Sequence, residues 1–240
     1  MVSPRWIEAG DATSTRMHLR LLNTFMLEED GQVVDLPIGV QRLVIYLTLK
    51  GRPLQRAHVA GALWPTTTDG RASANLRTAL WKLNQLCRPV VKALGSSLRI
   101  DPDVRIDLSE STSNAYEFLN NGGRLADLDL SQFCYDLLSD WYDDWIVFER
   151  QRFHQLRLRT LEVICERLIE AGDFVGALEA GLAAVAAEPL RESAHRAVIK
   201  VHLAESNRAE AVMEFRSYRQ MLKEELGIAP SHVMVELIQA

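Results

Sequence analysis

The sequence predicts an α+β chain, with strands confined to roughly the first 108 residues and helices alone thereafter. Three observations carry that expectation. Short alternating segments precede three amphipathic segments and are followed by a tight hairpin pattern. Charge divides unevenly between the two halves. A helix-turn-helix pattern recurs at an offset of 34 residues in the second half.

Residues 1–16 are polar and lack periodicity, and are read as a flexible leader. From Met17, MHLRLLNTFML and GQVVDLP flank the acidic turn Glu28-Glu29-Asp30-Gly31 and read as two or three short antiparallel strands ended by Pro37. In IGVQRLVIYLTLKG, Val40, Leu43, Val44 and Leu47 fall at i, i+3, i+4 and i+7, one face of a helix that Gly51 closes. A second short helix spans Arg56 to Leu63 and stops at Trp64-Pro65. A third runs from about Gly70 to Cys87, with Asp69 as its cap and Leu76, Leu80, Leu83 and Cys87 as its core stripe. After Pro89, VVKAL, a Gly95-Ser96-Ser97 turn, LRI, an Asp101-Pro102-Asp103 turn and VRID read as strands joined by tight turns. Strands, three helices and a hairpin, in that order, are the layout of a winged helix-turn-helix domain, assigned to residues 17–108.

From Ser109 no strand pattern remains. SESTSNAYEFLNNGG reads as a polar linker and a short helix, and a long helix covers about Val147 to Ala171. The segment GDFVGAL (172–178) aligns with SNRAEAV (206–212), each a turn between helices leading into a small and then an aliphatic residue. Thirty-four residues is the tetratricopeptide period, and small residues there let antiparallel helices approach closely. A stable stack also needs the helices expected around Tyr116 and Leu137. Residues 112–240 are therefore expected to form an all-α tetratricopeptide-like domain.

Composition and charge narrow the function. The 240 residues are 48% hydrophobic and 25% charged, as in an ordinary globular protein. No apolar run approaches the roughly 18–20 residues of a membrane span, and no secretory signal pattern opens the chain, so a cytoplasmic protein is expected. Cys87, Cys134 and Cys165 form neither a disulfide framework nor a zinc pair. Residues 1–108 hold 14 Lys and Arg against 10 Asp and Glu, whereas residues 109–240 hold 13 against 22. Between Gly70 and Ile100 stand Arg71, Arg77, Lys82, Arg88, Lys92 and Arg99 with no acid at all. Such a one-sign segment suits a polyanionic partner, double-stranded DNA above all, because phosphate contacts release counterions.

On the third helix, Arg71, Asn75 and Thr78 occupy the amino-terminal positions that a recognition helix points at base edges. Arg pairs with guanine and Asn with adenine in bidentate fashion. Arg77, Lys82 and Arg88 suit phosphates, setting register rather than sequence. Trp81 either meets sugar-phosphate or packs under the hairpin. Lys92, Ser96, Ser97 and Arg99 lie in or beside the hairpin and suit a wing reaching phosphate or minor groove. Thr66, Thr67 and Thr68 precede the helix and either offer hydroxyls and helix-start amides to a phosphate or simply cap it. About five to seven phosphate contacts per protomer would give a slope of log K against log salt of roughly −4 to −6.

No catalytic constellation competes. Asp143 and Asp144 in WYDDW point about 100° apart on a helix and have no His companion, and Trp141 and Trp145 are read as facing inward. The six histidines form no HxxxH or HExxH and read as satisfied or solvated groups. Neither an enzyme, a metal nor a cofactor is expected.

The segments VQRLVIYLTLKGRPLQRAHVAGALWP, ASANLRTALWKLNQL and LRIDPDVRIDL resemble the OmpR-like winged helix of the Streptomyces antibiotic regulatory protein (SARP) family. WYDDWIVFERQRFHQLRLRTLE and the stretch from EAGDFVGALEAG through EPLRE to EELGIAPS are similar to the bacterial transcriptional activation domain that follows it there. The resemblance covers about residues 17–240 and rests on the order and spacing of these segments. It implies a transcriptional activator that binds promoter repeats as a homodimer and contacts RNA polymerase. Larger members of the family add an ATPase domain; no GxxxxGK[ST] occurs here, so no ATP switch is inferred. A protein-interaction adaptor, with the helical repeat as its active part and the winged helix as a protein-binding module, is the alternative.

Overall fold

The computed structural model describes residues 17–121, 123, 125 and 130–239; the leader assigned to residues 1–16 lies outside the described residues. The chain divides into two compact units, Met1–Asp107 and Leu108–Ala240.

The first unit opens with a meander. Strands β1 (Met17–Arg20), β2 (Met26–Glu29) and β3 (Gln32–Val33) pair antiparallel, and β7 (Arg105–Ile106) adds to β1 in parallel, giving the order β3-β2-β1-β7. The β2–β3 turn has positive φ at both Asp30 and Gly31, the geometry of a type I′ turn. Alternation along β1 sends Met17, Leu19 and Leu21 into the core.

Three helices belong to this unit. Helix α1 (Ile38–Lys50) buries Val40, Leu43, Val44 and Leu47 and ends at Gly51, whose φ of +61° is the left-handed cap an L-residue resists. Helix α2 spans Arg56–Leu63, and α3 spans Asp69–Leu86. The core stripe of α3 is Ala72, Leu76, Ala79 and Leu83, while Leu80 is only half-buried. Small residues let α3 lie close to its neighbours, so alanines fill places that a leucine-weighted reading gives to Leu80. The amino-terminal cap is Thr68, one residue before the expected Asp69, and its side chain makes no capping bond. Asp69 instead sits in the first turn, where the helix dipole favours a carboxylate.

A second sheet has the order β4-β6-β5, from β4 (Leu54–Gln55), β5 (Val91–Leu94) and β6 (Ser97–Ile100). The hairpin turn is the two residues Gly95-Ser96, with positive φ at Gly95, so Ser97 belongs to β6 rather than to the tip. Strand β4, a two-residue segment absent from the sequence reading, pairs with β6, and the Arg56 amide donates to the Ser96 carbonyl at 3.0 Å.

The second unit is helical: α4 (Asp107–Asn121), a 3-10 turn at Leu130–Phe133, α5 (Asp144–Ala171), α6 (Phe174–Ala187), α7 (Glu192–Ala204), α8 (Arg208–Glu225) and α9 (His232–Gln239). The polar linker expected from Ser109 is instead part of α4. Asp107 explains the start, because its carboxylate accepts the Leu21 and Leu22 amides at 2.8–3.0 Å, while Ala115 and Phe118 are buried farther along. The segment around Leu137 is not helical either. Arg150 donates to the carbonyls of Leu137, Leu138 and Trp141 and holds that stretch in a turn. Trp141 is buried ahead of α5, Asp143 is the residue before its first turn, and Asp144 begins it.

The 34-residue offset is a structural repeat at the turns. Gly172 and Ser206 both adopt positive φ (76° and 64°), Asp173 and Asn207 both stand at the cap position of the next helix, though only Asp173 makes a capping bond, and Ala177 and Ala211 are both fully buried. Close approach is explicit at Gly181, where an added Cβ would come within 3.0 Å of Val198 Cγ2. Between repeats His195 is buried, with Nδ1 2.6 Å from Glu214 Oε1, Nε2 2.8 Å from the Pro189 carbonyl, and its ring stacked on Tyr218. It is a satisfied core histidine.

Ser206 pays for a backbone conformation that Gly172 adopts freely, so Ser206→Gly should stabilise the chain by about 0.5–1 kcal/mol and Gly172→Ala destabilise it by a similar amount. Nothing lies within 4 Å of a Cβ built at Gly172, so backbone strain alone sets that loss. Urea unfolding midpoints of the two variants measure both; equal shifts of the same sign would contradict the repeat equivalence.

Candidate nucleic-acid interface

Burying Ala72, Leu76, Ala79 and Leu83 fixes how α3 is rotated, and everything on its far side faces solvent. Arg71, Arg77, Thr78, Trp81 and Lys82 are exposed there, and Asn75 is half-buried at the edge. Trp81 is 63% exposed, which removes the reading that it packs under the hairpin. The Thr78 hydroxyl donates to the Ala74 carbonyl at 3.0 Å, leaving its oxygen able to accept.

Asn75, Thr78 and Lys82 come together in one shallow recess of about 250 Å³, closed by Trp64 and by Pro37, Gly39 and Val40 at the start of α1. Helix α1 begins after Pro37 with no capping side chain and no acidic residue in its first turn. A helix start of that kind favours an anion, and Lys82 adds a full positive charge beside it. The sequence placed Asn75 and Thr78 with Arg71 as base readers; the fold gathers them with Lys82 instead. Trp64 and Pro37 were missed, since nothing local marks two residues so far apart as neighbours.

The acid-free run does not stay acid-free in three dimensions. Arg88 lies 3.4 Å from Glu29 Oε1 on β2. Lys92 lies 2.7 Å from Asp101 Oδ1 and 3.9 Å from Asp103 Oδ2. Burial raises the Asp101 carboxyl, but hydrogen bonds from Lys92 and the Asp103 amide, with the charges of Lys92 and Arg99, outweigh it and hold the group below its ordinary value. Asp101 and Asp103 follow Ile100 directly, so extending the sequence window by three residues would have found them. Arg71, Arg77 and Lys82 on α3 make no ion pair among the described residues, and Arg99, the fourth cation outside such a pair, is half-buried on β6 where its charge acts on Asp101.

The remaining expected positions are mixed. Ser96 is exposed at the hairpin tip, Ser97 is half-buried in β6, and Arg99 is half-buried on the same strand. Thr67 is tied down, with amide and hydroxyl both donating to the Trp64 carbonyl at 3.2 and 3.1 Å; Thr66 and Thr68 are exposed. Burial first, then the Glu29 charge, push the Cys87 thiol up to about 11, and burial chiefly pushes Cys165 up to about 12, so neither is a ready thiolate. Among the described residues no group of three or more His, Cys, Asp or Glu is placed to hold a metal, and no helix is long and apolar enough to cross a membrane.

Residues 125–240 match the family model of the bacterial transcriptional activator domain. That match lies in the second half of the chain, and a full-length relative is similar over both halves. It is 25% identical to the regulatory protein AfsR of Streptomyces coelicolor over 96% of its own length, and spans 25% of that protein. A solved structure of Mycobacterium tuberculosis EmbR in complex with a low-affinity phosphopeptide shares the fold, with a TM-score of 0.74 and 20% identity over 94% of this chain and 65% of that one.

The Lys92–Asp101 pair sets a pH dependence. A carboxyl held below its unfolded value contributes stability above about pH 3.9, and that contribution disappears as the pH falls through the folded value. Asp101→Asn should therefore melt below the wild type near neutrality, and the two melting temperatures should converge on acidification. A constant gap across the acid range would show that the Asp101 charge is not what stabilises the hairpin.

Proposed function

We propose that the chain is a sequence-specific double-stranded-DNA-binding transcriptional regulator, acting as an activator in the cytoplasm. The first unit is read as a winged helix, with α3 in the major groove and the β5–β6 hairpin as the wing. The observation that carries this reading is the solvent face of α3, where Arg71, Arg77 and Lys82 have no carboxylate partner among the described residues and no acid follows Asp69 within the helix.

The roles divide by position. Arg71 stands in the first turn of α3, free to reach a guanine edge. Lys82 and Asn75, beside the start of α1, form a phosphate cradle. Arg77 lies on the other flank of α3 and reaches the opposite strand's backbone. Arg88 and Lys92 hold internal carboxylates and contribute little to affinity unless DNA displaces those contacts. The helical unit then serves protein partners, RNA polymerase and a second protomer, as the resemblance implies.

Trp81 speaks for the adaptor reading, since a large exposed aromatic is a common anchor at protein interfaces. Selection of bound sequences from a random duplex pool separates the two: enrichment of a repeated motif supports the regulator, and an unenriched pool with no protection in footprinting supports the adaptor.

Two measurements test the DNA reading in detail. With three uncompensated cations engaged, log K against log salt should have a slope of about −3 per protomer, shallower than the bare charge count gives. A slope near zero overturns DNA binding, and one near −5 means that Arg88 and Lys92 leave their carboxylates. Arg71→Ala should relax sequence preference by about 1–3 kcal/mol at one base pair, whereas Lys82→Ala should weaken specific and random duplexes alike. Equal effects of both variants on specific and random DNA would discard this division.

A further inference from the structure

The second unit is acidic overall, with 13 Lys and Arg against 22 Asp and Glu over residues 109–240, yet α8 carries a cationic face. Arg216, Arg219 and Lys223 follow at i, i+3 and i+7 along α8, on one helical face. All three are exposed, and none makes an ion pair among the described residues. Arg219 lies 5.9 Å from the Phe215 ring centroid, and the neighbouring Gln220 amide donates to Glu224 at 2.9 Å.

These side chains form one wall of a recess of about 690 Å³. The other wall is the loop after α8, where Gly227, Ile228 and Ala229 line the space and Ile228 is 54% exposed. The loop is built rather than loose. Gly227 takes a positive φ of 69°, its amide donates to the Lys223 carbonyl, and Glu192 on α7 accepts both the amide and the hydroxyl of Ser231. The EELGIAPS segment thus sets an apolar edge opposite a cationic one.

We propose that this recess is a docking groove for an acidic, amphipathic peptide segment of a partner protein. Its carboxylates would face Arg216, Arg219 and Lys223, and an apolar side chain would rest on Ile228 and Ala229. Charge complementarity selects the occupant. A duplex carries a charge about every 1.7 Å and meets net repulsion from a unit with 13 Lys and Arg against 22 Asp and Glu. A short peptide presents few charges, and repulsion from carboxylates beyond about 8 Å is screened at physiological salt. A helical segment with acids at three- and four-residue spacing matches the cations and meets the groove through its apolar stripe. The groove lies in the helical unit, so it stands or falls independently of the α3 surface.

The test is fluorescence anisotropy of the full chain with a labelled peptide of about four helical turns, Glu and Asp on one face and Leu and Phe on the other. Saturable binding is expected, weakened at least about tenfold by Arg216→Glu with Arg219→Glu and also reduced by Ile228→Ser in the exposed loop. Arg71→Ala on α3 should leave it unchanged, and a peptide with Lys in place of its acids should not bind. Circular dichroism melts check that the variants stay folded, and Arg216→Gln, which removes charge without reversing it, should give an intermediate loss. Absence of binding, binding indifferent to the charge reversals, or displacement of the peptide by duplex DNA or pyrophosphate at matching charge concentration overturns the proposal. So does a concentration-dependent dimer that the reversals dissolve, which would assign the groove to a second copy of the chain.

Discussion

The rotation of α3 about its own axis is the constraint on which the first unit's surface depends. Four small or medium apolar residues, Ala72, Leu76, Ala79 and Leu83, pack inward, and each residue between them is directed by the 100° step of the helix. Two of the four are alanines, so α3 sits close to its neighbours and leaves little room for rocking. A bulkier residue at Ala72 or Ala79 would rotate or displace the helix and scatter Arg71, Asn75 and Lys82 together. The surface chemistry is inherited from packing.

Charge in this protein is organised by partners rather than by composition. A segment with no acid in its sequence receives Glu29 from β2 and Asp101 from the following turn, and two of its six cations become part of internal pairs. Of the four that remain, Arg99 is half-buried on β6 and the other three stand on one helix, two of them toward its amino-terminal half. In the acidic unit the logic reverses, and Arg216, Arg219 and Lys223 stand out because they make no ion pair among the described residues.

Much of the fold was legible because its cues are local. Gly31 and Gly51 mark a turn and a cap that need positive φ, Val40 to Leu47 spell out a helical face, and the offset between Gly172 and Ser206 locates two equivalent turns. What was not legible depends on distant pairing. Strand β4 is two residues long and exists because Leu54 meets Leu98. The start of α4 is polar and reads as a linker until Asp107 is seen to hold the Leu21 and Leu22 amides. Alanine burial also escapes a sequence reading, since Ala79 has no hydrophobic weight to compete with Leu80. The exposure of Trp81 and Thr78 follows from the periodicity of α3, whereas the recess that joins Asn75 to Trp64 required the tertiary fold.

The parallel pairing of β7 with β1 carries a consequence for how such chains are assembled. His18 stands opposite Arg105 and Leu19 opposite Ile106, so the strand that opens the first unit and the strand that closes it are immediate neighbours. A module whose first and last described strands are hydrogen-bonded to each other holds its own sheet together whatever sequence is joined to it. Such a piece is a natural cassette, able to be coupled to different downstream machinery while its own hydrogen-bond ladder stays whole.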